Sequence, residues 1–194
     1  MTITTDAVKE LRDATGISVM QCRKALEEAG GDMEKARIIL QKKGGEAAIK
    51  KSDRQLGAGA IGAYVHSTNE IAALVTLACE TDFVAKNAEF IALAKELAMQ
   101  VAAQSPTYIR KEDVNESART KAAEVFRKEV EDKPAELQDK ILAGKLDAYF
   151  KEQILMEQDF IKDADKTIAD LINTAVQKFG ENISIAEMKR ISVK

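Results

Sequence analysis

The sequence predicts an α+β protein in which an N-terminal three-helix bundle precedes a core with a small antiparallel sheet and flanking helices. Apolar residues recur at helical spacing up to about residue 45, and from Ala60 the spacing changes to alternation. Further helical segments then lead to a strand-like run at the C-terminal end. The 194 residues are 45% hydrophobic and 31% charged, which is typical of a globular chain with a sizeable core.

The first segment is predicted to form three short helices separated by glycines. The first helix stops near Thr15-Gly16, and Ser18 caps the second in a capping box with the glutamine three residues later. Gly30-Gly31 ends the second helix, and Asp32 caps the third, which is predicted to end at Gly44-Gly45. The apolar faces of these helices comprise Val8, Leu11, Val19, Cys22, Leu26, Ala29, Met33, Ala36 and Leu40.

A charged connector is predicted between the bundle and the core. Segment 46–56 has few large apolar residues, and the charge balance changes beside it. Residues 1–55 carry 11 basic and 9 acidic side chains, and the rest of the chain carries 18 and 23. We therefore expect a bundle over 1–45, a linker over 46–56 that can be helical, and a core over 57–194.

The change of period predicts a β-hairpin at the start of the core. Apolar and other side chains alternate over 60–66, Ser67-Thr68-Asn69 is typical of a turn, and an apolar run extends from Ile71 to Cys79. The hairpin is expected to be followed by a helix that Ser105-Pro106 closes.

The remainder of the core is predicted to be a helical insertion, a last helix and a last strand. The insertion covers about 107–156, with breaks at Lys133-Pro134 and Gly144, and the last helix ends at Gly180. The run over 183–193 alternates like a strand, but charged residues interrupt it. We therefore expect an edge strand or a β-bulge there.

Several classes of protein are disfavoured by composition. A net charge of −3 disfavours a protein that binds nucleic acid mainly through its phosphates. The longest apolar stretch is far shorter than the roughly 18 residues of a membrane span, and the first ten residues do not resemble a secretory signal. We expect a cytoplasmic protein in which Cys22 and Cys79 are reduced and buried, and no metal site, because these cysteines and His66 lack metal-ligand spacing.

The sequence also lacks the usual catalytic patterns. The segment from Gly57 to Gly62 matches Gly-x-Gly-x-x-Gly, but a dinucleotide-binding motif follows a strand and opens a helix. Here a connector precedes the glycines and a strand is predicted after them. We therefore interpret this segment as a flexible entry to a strand, and we expect no catalytic residues and no cofactor.

Two local features have more than one interpretation. In the string Cys79-Glu80-Thr81-Asp82-Phe83-Val84-Ala85-Lys86-Asn87, Thr81 or Asp82 can cap a helix that Phe83 anchors to the core, or the segment can be a functional site. Met20 lies just off the apolar stripe of the second helix. It can belong to the bundle core or to an adaptable contact surface.

The string at 79–87 closely resembles the signature of elongation factor Ts. The resemblance extends over essentially the whole chain, with two departures: Asp159 stands where the family generally has proline, and segment 16–22 differs from the family's smaller, methionine-richer version. The other matching strings are Val8-Lys9-Glu10-Leu11-Arg12, Thr15-Gly16, residues 24–32, Lys42-Lys43-Gly44, Glu157-Gln158-Asp159-Phe160-Ile161-Lys162-Asp163, Lys166-Thr167 and Gly180-Glu181-Asn182-Ile183.

The resemblance implies a fold, a partner and site residues. The bundle would be similar to a ubiquitin-associated domain, and the core would be a single half of the two that longer family members contain. The implied function is release of GDP from elongation factor Tu, through disturbance of the GTPase's magnesium and phosphate site by Thr81, Asp82, Phe83 and Val84. The bundle would dock through Arg12, Val19 and Met20.

Two further expectations accompany this function. A single core half leaves a small sheet with an apolar face to cover, so we expect a homodimer through the core. An alternative function is that of an adaptor whose bundle binds ubiquitin-like or other small partners, because three-helix modules are widely reused. A GDP-release assay with elongation factor Tu distinguishes the two functions.

Overall fold

A computed structural model describes residues 3–131 and 134–193 and confirms the α+β class. The helices are α1 (Thr5–Thr15), α2 (Val19–Glu28), α3 (Met33–Lys51), α4 (Asp82–Ala85), α5 (Ala88–Gln104), α6 (Glu116–Val130), α7 (Ala135–Gln153) and α8 (Ile168–Phe179). The strands are β1 (Ala58–Val65), β2 (Ile71–Cys79), β3 (Asp159–Phe160), β4 (Asp163–Thr167) and β5 (Ile183–Ser192). Short 3-10 turns cover Lys111–Asp113 and Leu155–Glu157.

The N-terminal helices begin where the capping signals place them, and the first two also end near their predicted stops. Gly16 follows α1 with a left-handed φ of 69°, which glycine adopts without the steric cost that a Cβ brings. The hydroxyl of Ser18 and the carboxylate of Asp32 accept hydrogen bonds from backbone amides in the first turns of α2 and α3. The bundle has its own core of Val8, Leu11, Ile17, Cys22, Ala25, Leu26, Ala36 and Leu40.

The third helix is longer than predicted. The expected end at Gly44-Gly45 is wrong, because α3 continues to Lys51 through the first half of the predicted linker. A Cβ on the buried Gly44 would lie 3.3 Å from the carbonyl oxygen of Asn173 in α8. The glycines therefore allow α3 to pack closely against α8, and they do not end the helix.

The core contains the predicted hairpin. Strands β1 and β2 pair antiparallel, and β5 pairs antiparallel with the other side of β2, so the sheet order is β1-β2-β5. In β5, Ile185 pairs with Leu77 and Glu187 pairs with Thr76, which leaves Ala186 as the extra residue of a bulge. The prediction of an edge strand or a bulge over 183–193 is confirmed.

One face of the sheet is covered and the other is open. The covered face packs on α5 and α8 in the main core, which includes Val75, Leu77, Phe90, Leu97, Ile168, Ile172 and Ile185. The large apolar residues Ile61, Val65, Leu74, Ile191 and Val193 are exposed. On the open face, Leu74 is paired with Lys189 of β5, and Ala72 is paired with Ile191.

The predicted helical insertion is an α6–α7 hairpin. Phe126 of α6 meets Tyr149 of α7 edge to face, and Tyr149 meets the neighbouring Phe150 in the same way. The predicted break at Gly144 is wrong, because α7 is continuous through it; a Cβ there would meet open space, so no contact forces a turn. Pro134 lies immediately before α7, where the break at Lys133-Pro134 was predicted, and Lys133 lies outside the described residues.

The insertion is attached to the core through its return segment. The buried Gln100 of α5 donates to the side-chain oxygen of Gln158 and to the carbonyl oxygen of Asp159, and its own oxygen accepts from the amide of Ile161. Asp159 therefore lies in a hydrogen-bonded strand, and Lys151 pairs with its carboxylate at 3.4 Å.

Candidate partner-binding site

The junction between β2 and α4 presents Phe83 to solvent. The hydroxyl of Thr81 accepts a hydrogen bond from the amide of Val84 at 3.4 Å and so caps α4. Phe83 is 82% exposed, whereas Val84 is only 4% exposed and belongs to the main core. The interpretation in which Phe83 anchors the helix to the core is therefore wrong; Val84 is the anchor.

Asp82 adds a charge beside this exposed ring. Its carboxylate forms a 2.7 Å ion pair with the ammonium of Lys86 one turn later, and both side chains are exposed. The hydrogen bond and the positive charge of Lys86 hold the pKa of Asp82 below its usual value. Asp82 is consequently ionised at neutral pH, next to an apolar ring in solvent.

Two glutamates form hydrogen bonds between the β2–α4 junction and the segment that connects α8 to β5. The carboxylate of Glu181 accepts from the amides of Glu80 and Thr81, both at 3.0 Å, and from the hydroxyl of Thr81 at 2.5 Å. The carboxylate of Glu80 accepts from the amide of Asn182 at 2.6 Å and from Arg54 at 3.3 Å. The Asn182 amide hydrogen bond, with help from Arg54, lowers the pKa of Glu80.

Asn182 extends these contacts to the connector after α3. Its side-chain amide donates to the carbonyl oxygens of Ser52 and Arg54. No role for Glu80, Glu181 or Asn182 was predicted from the sequence. Their only signal was position within strings that resemble elongation factor Ts, because residues about 100 positions apart show no local periodicity.

The three predicted docking residues belong to the bundle, whereas Thr81, Asp82, Phe83 and Val84 belong to the core. Val19 and Met20 open α2 and are 53% and 69% exposed, and Arg12 is exposed in the last turn of α1. The interpretation of Met20 as bundle core is wrong, because more than two thirds of the residue faces solvent.

The bundle is held against the core by polar contacts as well as by α3. Gln41 of α3 donates to Asp170 of α8 at 2.8 Å. Lys178 of α8 forms an ion pair with Glu89 of α5, and its Nζ would lie 3.1 Å from a Cβ on Gly16. Burial lowers the pKa of Lys178. The bundle therefore contacts α8 directly, and the Lys178–Glu89 ion pair joins α8 to α5 within the core.

The two cysteines and His66 are the other residues that the sequence singled out. Cys22 and Cys79 are buried free thiols, as expected. Burial raises the pKa of both thiols, and the charge of Glu181 adds to the increase at Cys79. His66 lies partly exposed at the hairpin turn and contacts the hydroxyl of Thr68 at 3.0 Å.

The glycines of the Gly-x-Gly-x-x-Gly match lead into and along β1. This is the strand entry that the surrounding sequence predicts, and not the strand-to-helix turn of a dinucleotide site. Among residues 3–131 and 134–193, no helix combines the length and apolar character needed to cross a membrane.

Comparison with known proteins agrees with the signature at 79–87. A family model described as Elongation factor TS matches residues 2–194. The chain belongs to the elongation factor Ts family. It is therefore a translation elongation factor.

Curated elongation factor Ts proteins match over nearly their full length. The protein named "Elongation factor Ts" from Thermotoga petrophila is 47% identical over 193 residues, which cover 100% of this chain and 97% of the relative. The one from Carboxydothermus hydrogenoformans is 47% identical over 193 residues, covering 98% and 89%. The one from Thermodesulfovibrio yellowstonii is 45% identical over 194 residues, covering 100% and 97%.

Proposed function

We propose that this elongation factor Ts chain is a guanine-nucleotide exchange factor that binds elongation factor Tu with GDP and accelerates GDP release. The observation that carries the proposal is the exposure of Phe83 on a junction tied down by hydrogen bonds. Packing does not require this ring, because Val84 supplies the core contact of α4. A rigidly presented aromatic side chain is suited to enter a pocket of a partner.

In this mechanism Phe83 is a wedge between helices of the GTPase, near its magnesium and phosphate site. Asp82 makes a polar contact that positions the wedge, while Thr81 and Val84 hold the turn. The exposed Asp82–Lys86 pair can be exchanged for a contact with the partner at little cost, because exposed ion pairs contribute little stability.

The magnesium ion belongs to the GTPase, and this chain contributes no chemistry of its own. Disturbing the ion's shell weakens phosphate binding, because the ion supplies much of the local positive charge. Coupling between the two ligands is reciprocal: if the factor weakens the binding of GDP, GDP weakens the binding of the factor to the same extent. Excess GTP then displaces the factor.

The bundle is proposed as the docking element for the nucleotide-binding domain of the GTPase. Val19 and Met20 form an exposed apolar pair at the start of α2, and Arg12 adds a positive charge at the end of α1. Methionine suits such a surface because its side chain is flexible and polarizable. Since the Gln41–Asp170 hydrogen bond and the packing of α3 on α8 hold the bundle to the core, docking would orient Phe83.

The open face of the sheet is proposed as a homodimer interface. Ile61 and Val65 of β1, Leu74 of β2 and Ile191 of β5 are exposed together with the small residues between them. An apolar sheet face of this kind is normally covered by a second layer. A second copy, related by two-fold symmetry, covers both faces at once.

The test of exchange is the rate of release of a fluorescent GDP analogue from elongation factor Tu. The wild-type chain should accelerate release, and Phe83→Ala should lose most of the acceleration while its melting temperature stays unchanged. Val125→Ala, which also shortens an exposed apolar residue but in α6, is the matched control and should behave as wild type.

Three outcomes would contradict the proposal. The first is that the wild-type chain does not accelerate release. The second is that Phe83→Ala stimulates release normally. The third is that its loss of stimulation is explained entirely by unfolding.

A further inference from the structure

A single carboxylate outside the signature determines the conformation of the segment that carries Phe83. Glu181 accepts three hydrogen bonds, two from consecutive amides and one from the hydroxyl of Thr81. Both of its carboxylate oxygens are used, Oε2 by the amides and Oε1 by the hydroxyl. Hydrogen bonds to an ionised acceptor are stronger than neutral ones, so this carboxylate holds residues 80 and 81 firmly.

The hydroxyl of Thr81 transmits this constraint to α4. A hydroxyl has one proton to donate, and here Glu181 accepts it, which leaves the oxygen lone pairs to accept from the amide of Val84 at 3.4 Å. Helix α4 has only four residues, and a helix this short does not persist without outside contacts. The direction of Phe83 in its first turn therefore depends on the cap that Glu181 orients.

Glu181 is well placed to act as a fixed support. It lies between Gly180, which ends α8 in the left-handed conformation, and Ile183, the buried first residue of β5. The next residue, Asn182, donates to Glu80 and to the connector after α3. Three hydrogen bonds of Asn182 therefore fix the backbone next to Glu181.

We propose that Glu181 is a positioning residue for nucleotide exchange, which holds Thr81 so that α4 presents Phe83 in the orientation that displaces GDP. The proposal rests on the exchange function proposed above. Glu181 acts through Thr81 and not by touching the nucleotide. Its removal should lower the maximal rate of GDP release more than it weakens the complex.

The decisive variant is Glu181→Gln, which preserves shape but replaces one acceptor oxygen with an NH2 group that cannot accept. The one remaining oxygen can accept either from the amides of Glu80 and Thr81 or from the hydroxyl of Thr81. The other donor or donors then lack their acceptor. We expect the GDP release rate at saturating factor to fall roughly tenfold or more, the change that corresponds to the loss of a hydrogen bond to a charged group. The concentration of factor that gives half the maximal rate should change less than threefold.

The matched control is Gln100→Leu, which removes a buried network elsewhere in the core. It should lower the melting temperature and leave the saturating rate unchanged, provided that circular dichroism shows a folded chain at the assay temperature. If Gln100→Leu slows release as much as Glu181→Gln does, the effect is general destabilisation and the positioning role is overturned.

A double variant separates this inference from the proposed function. If Glu181 acts through Phe83, adding Glu181→Gln to Phe83→Ala should slow release no further, because effects through one shared step are not additive. Additive effects would overturn the positioning role. If Phe83→Ala slows release but Glu181→Gln does not, the positioning role of Glu181 is overturned and the exchange function stands. If Phe83→Ala has no effect, the proposed function itself fails.

Discussion

Gly62 of β1 lies directly beneath the carbonyl group of Ala94 in α5. A Cβ at Gly62 would overlap that carbonyl and would lie 2.7 Å from the amide nitrogen of Lys95. All of these are backbone atoms in the middle of a helix, so no side-chain rotation can relieve the overlap. The strand and the helix are in contact because this position has no side chain.

We expect Gly62→Ala to destabilise the protein, because a methyl group must separate β1 from α5. The expected loss is about 2–3 kcal/mol of unfolding free energy, the upper range for overpacking a core. The measurement is chemical denaturation followed by circular dichroism. Gly144→Ala in α7 is the control, since a Cβ there meets open space, and it should stabilise the chain by about 0.5–1 kcal/mol. Equal changes in unfolding free energy for Gly62→Ala and Gly144→Ala would contradict the close packing of β1 on α5.

The contribution of Glu80 to stability should depend on pH. Its pKa in the folded protein is lowered, chiefly by the amide of Asn182. The stabilisation is therefore complete above the unfolded pKa of about 4.3 and is lost as the pH falls through the lower folded pKa. The difference in unfolding free energy between wild type and Glu80→Gln should be constant near neutral pH and shrink below about pH 5.

The control for this pH dependence is Glu10→Gln, on the exposed surface of α1. Its unfolding free energy should follow that of the wild type at each pH. A difference between wild type and Glu80→Gln that grows as the solution is acidified would contradict the assignment.

The open sheet face predicts an oligomeric state that one substitution can change. The wild-type chain should sediment as a dimer at micromolar concentration. Ile61→Asp should sediment as a monomer, because its cross-strand neighbour Thr76 carries no charge and the carboxylate would be buried unpaired in the interface. Val125→Asp places the same charge on the exposed surface of α6 and should remain dimeric. A wild-type chain that sediments as a monomer, alone and with its GTPase, would refute the dimer.

The bundle surface predicts a separate effect on binding. Met20→Asp should weaken binding to elongation factor Tu by roughly tenfold or more, the range for losing an anchoring contact, and should leave the melting temperature unchanged. Ile49→Asp, on an exposed position of α3 outside the docking set, should bind as wild type. Titration calorimetry measures both affinities; equal affinity of Met20→Asp and wild type would remove Met20 from the docking surface.

The helix starts and the β-hairpin were accessible from the sequence because their signals are local. Ser18 and Asp32 cap helices through contacts within three residues, and alternation over 60–66 with a turn is sufficient to indicate a hairpin. Glu187 and Lys189 likewise indicated that the last strand is an irregular edge, and the bulge falls at the adjacent Ala186.

Two predictions failed where a distant segment decides the outcome. Gly44-Gly45 is a typical helix end, but α8 packs against it and the helix continues. One of the two interpretations of the signature placed Phe83 in the core, although the helix turn directs Val84 inward. In each case the local pattern allowed two conformations, and contacts far along the chain selected one.

The sequence by itself determined the α+β class, the hairpin and the strings that resemble elongation factor Ts. Only the tertiary structure decided that Phe83 faces solvent, that Glu181 holds Thr81, and that one sheet face is open. Periodicity and capping report interactions within a few residues of the chain. The contact between Glu181 and Thr81 joins residues 100 positions apart, and the folding of α8 against the sheet is what brings them together.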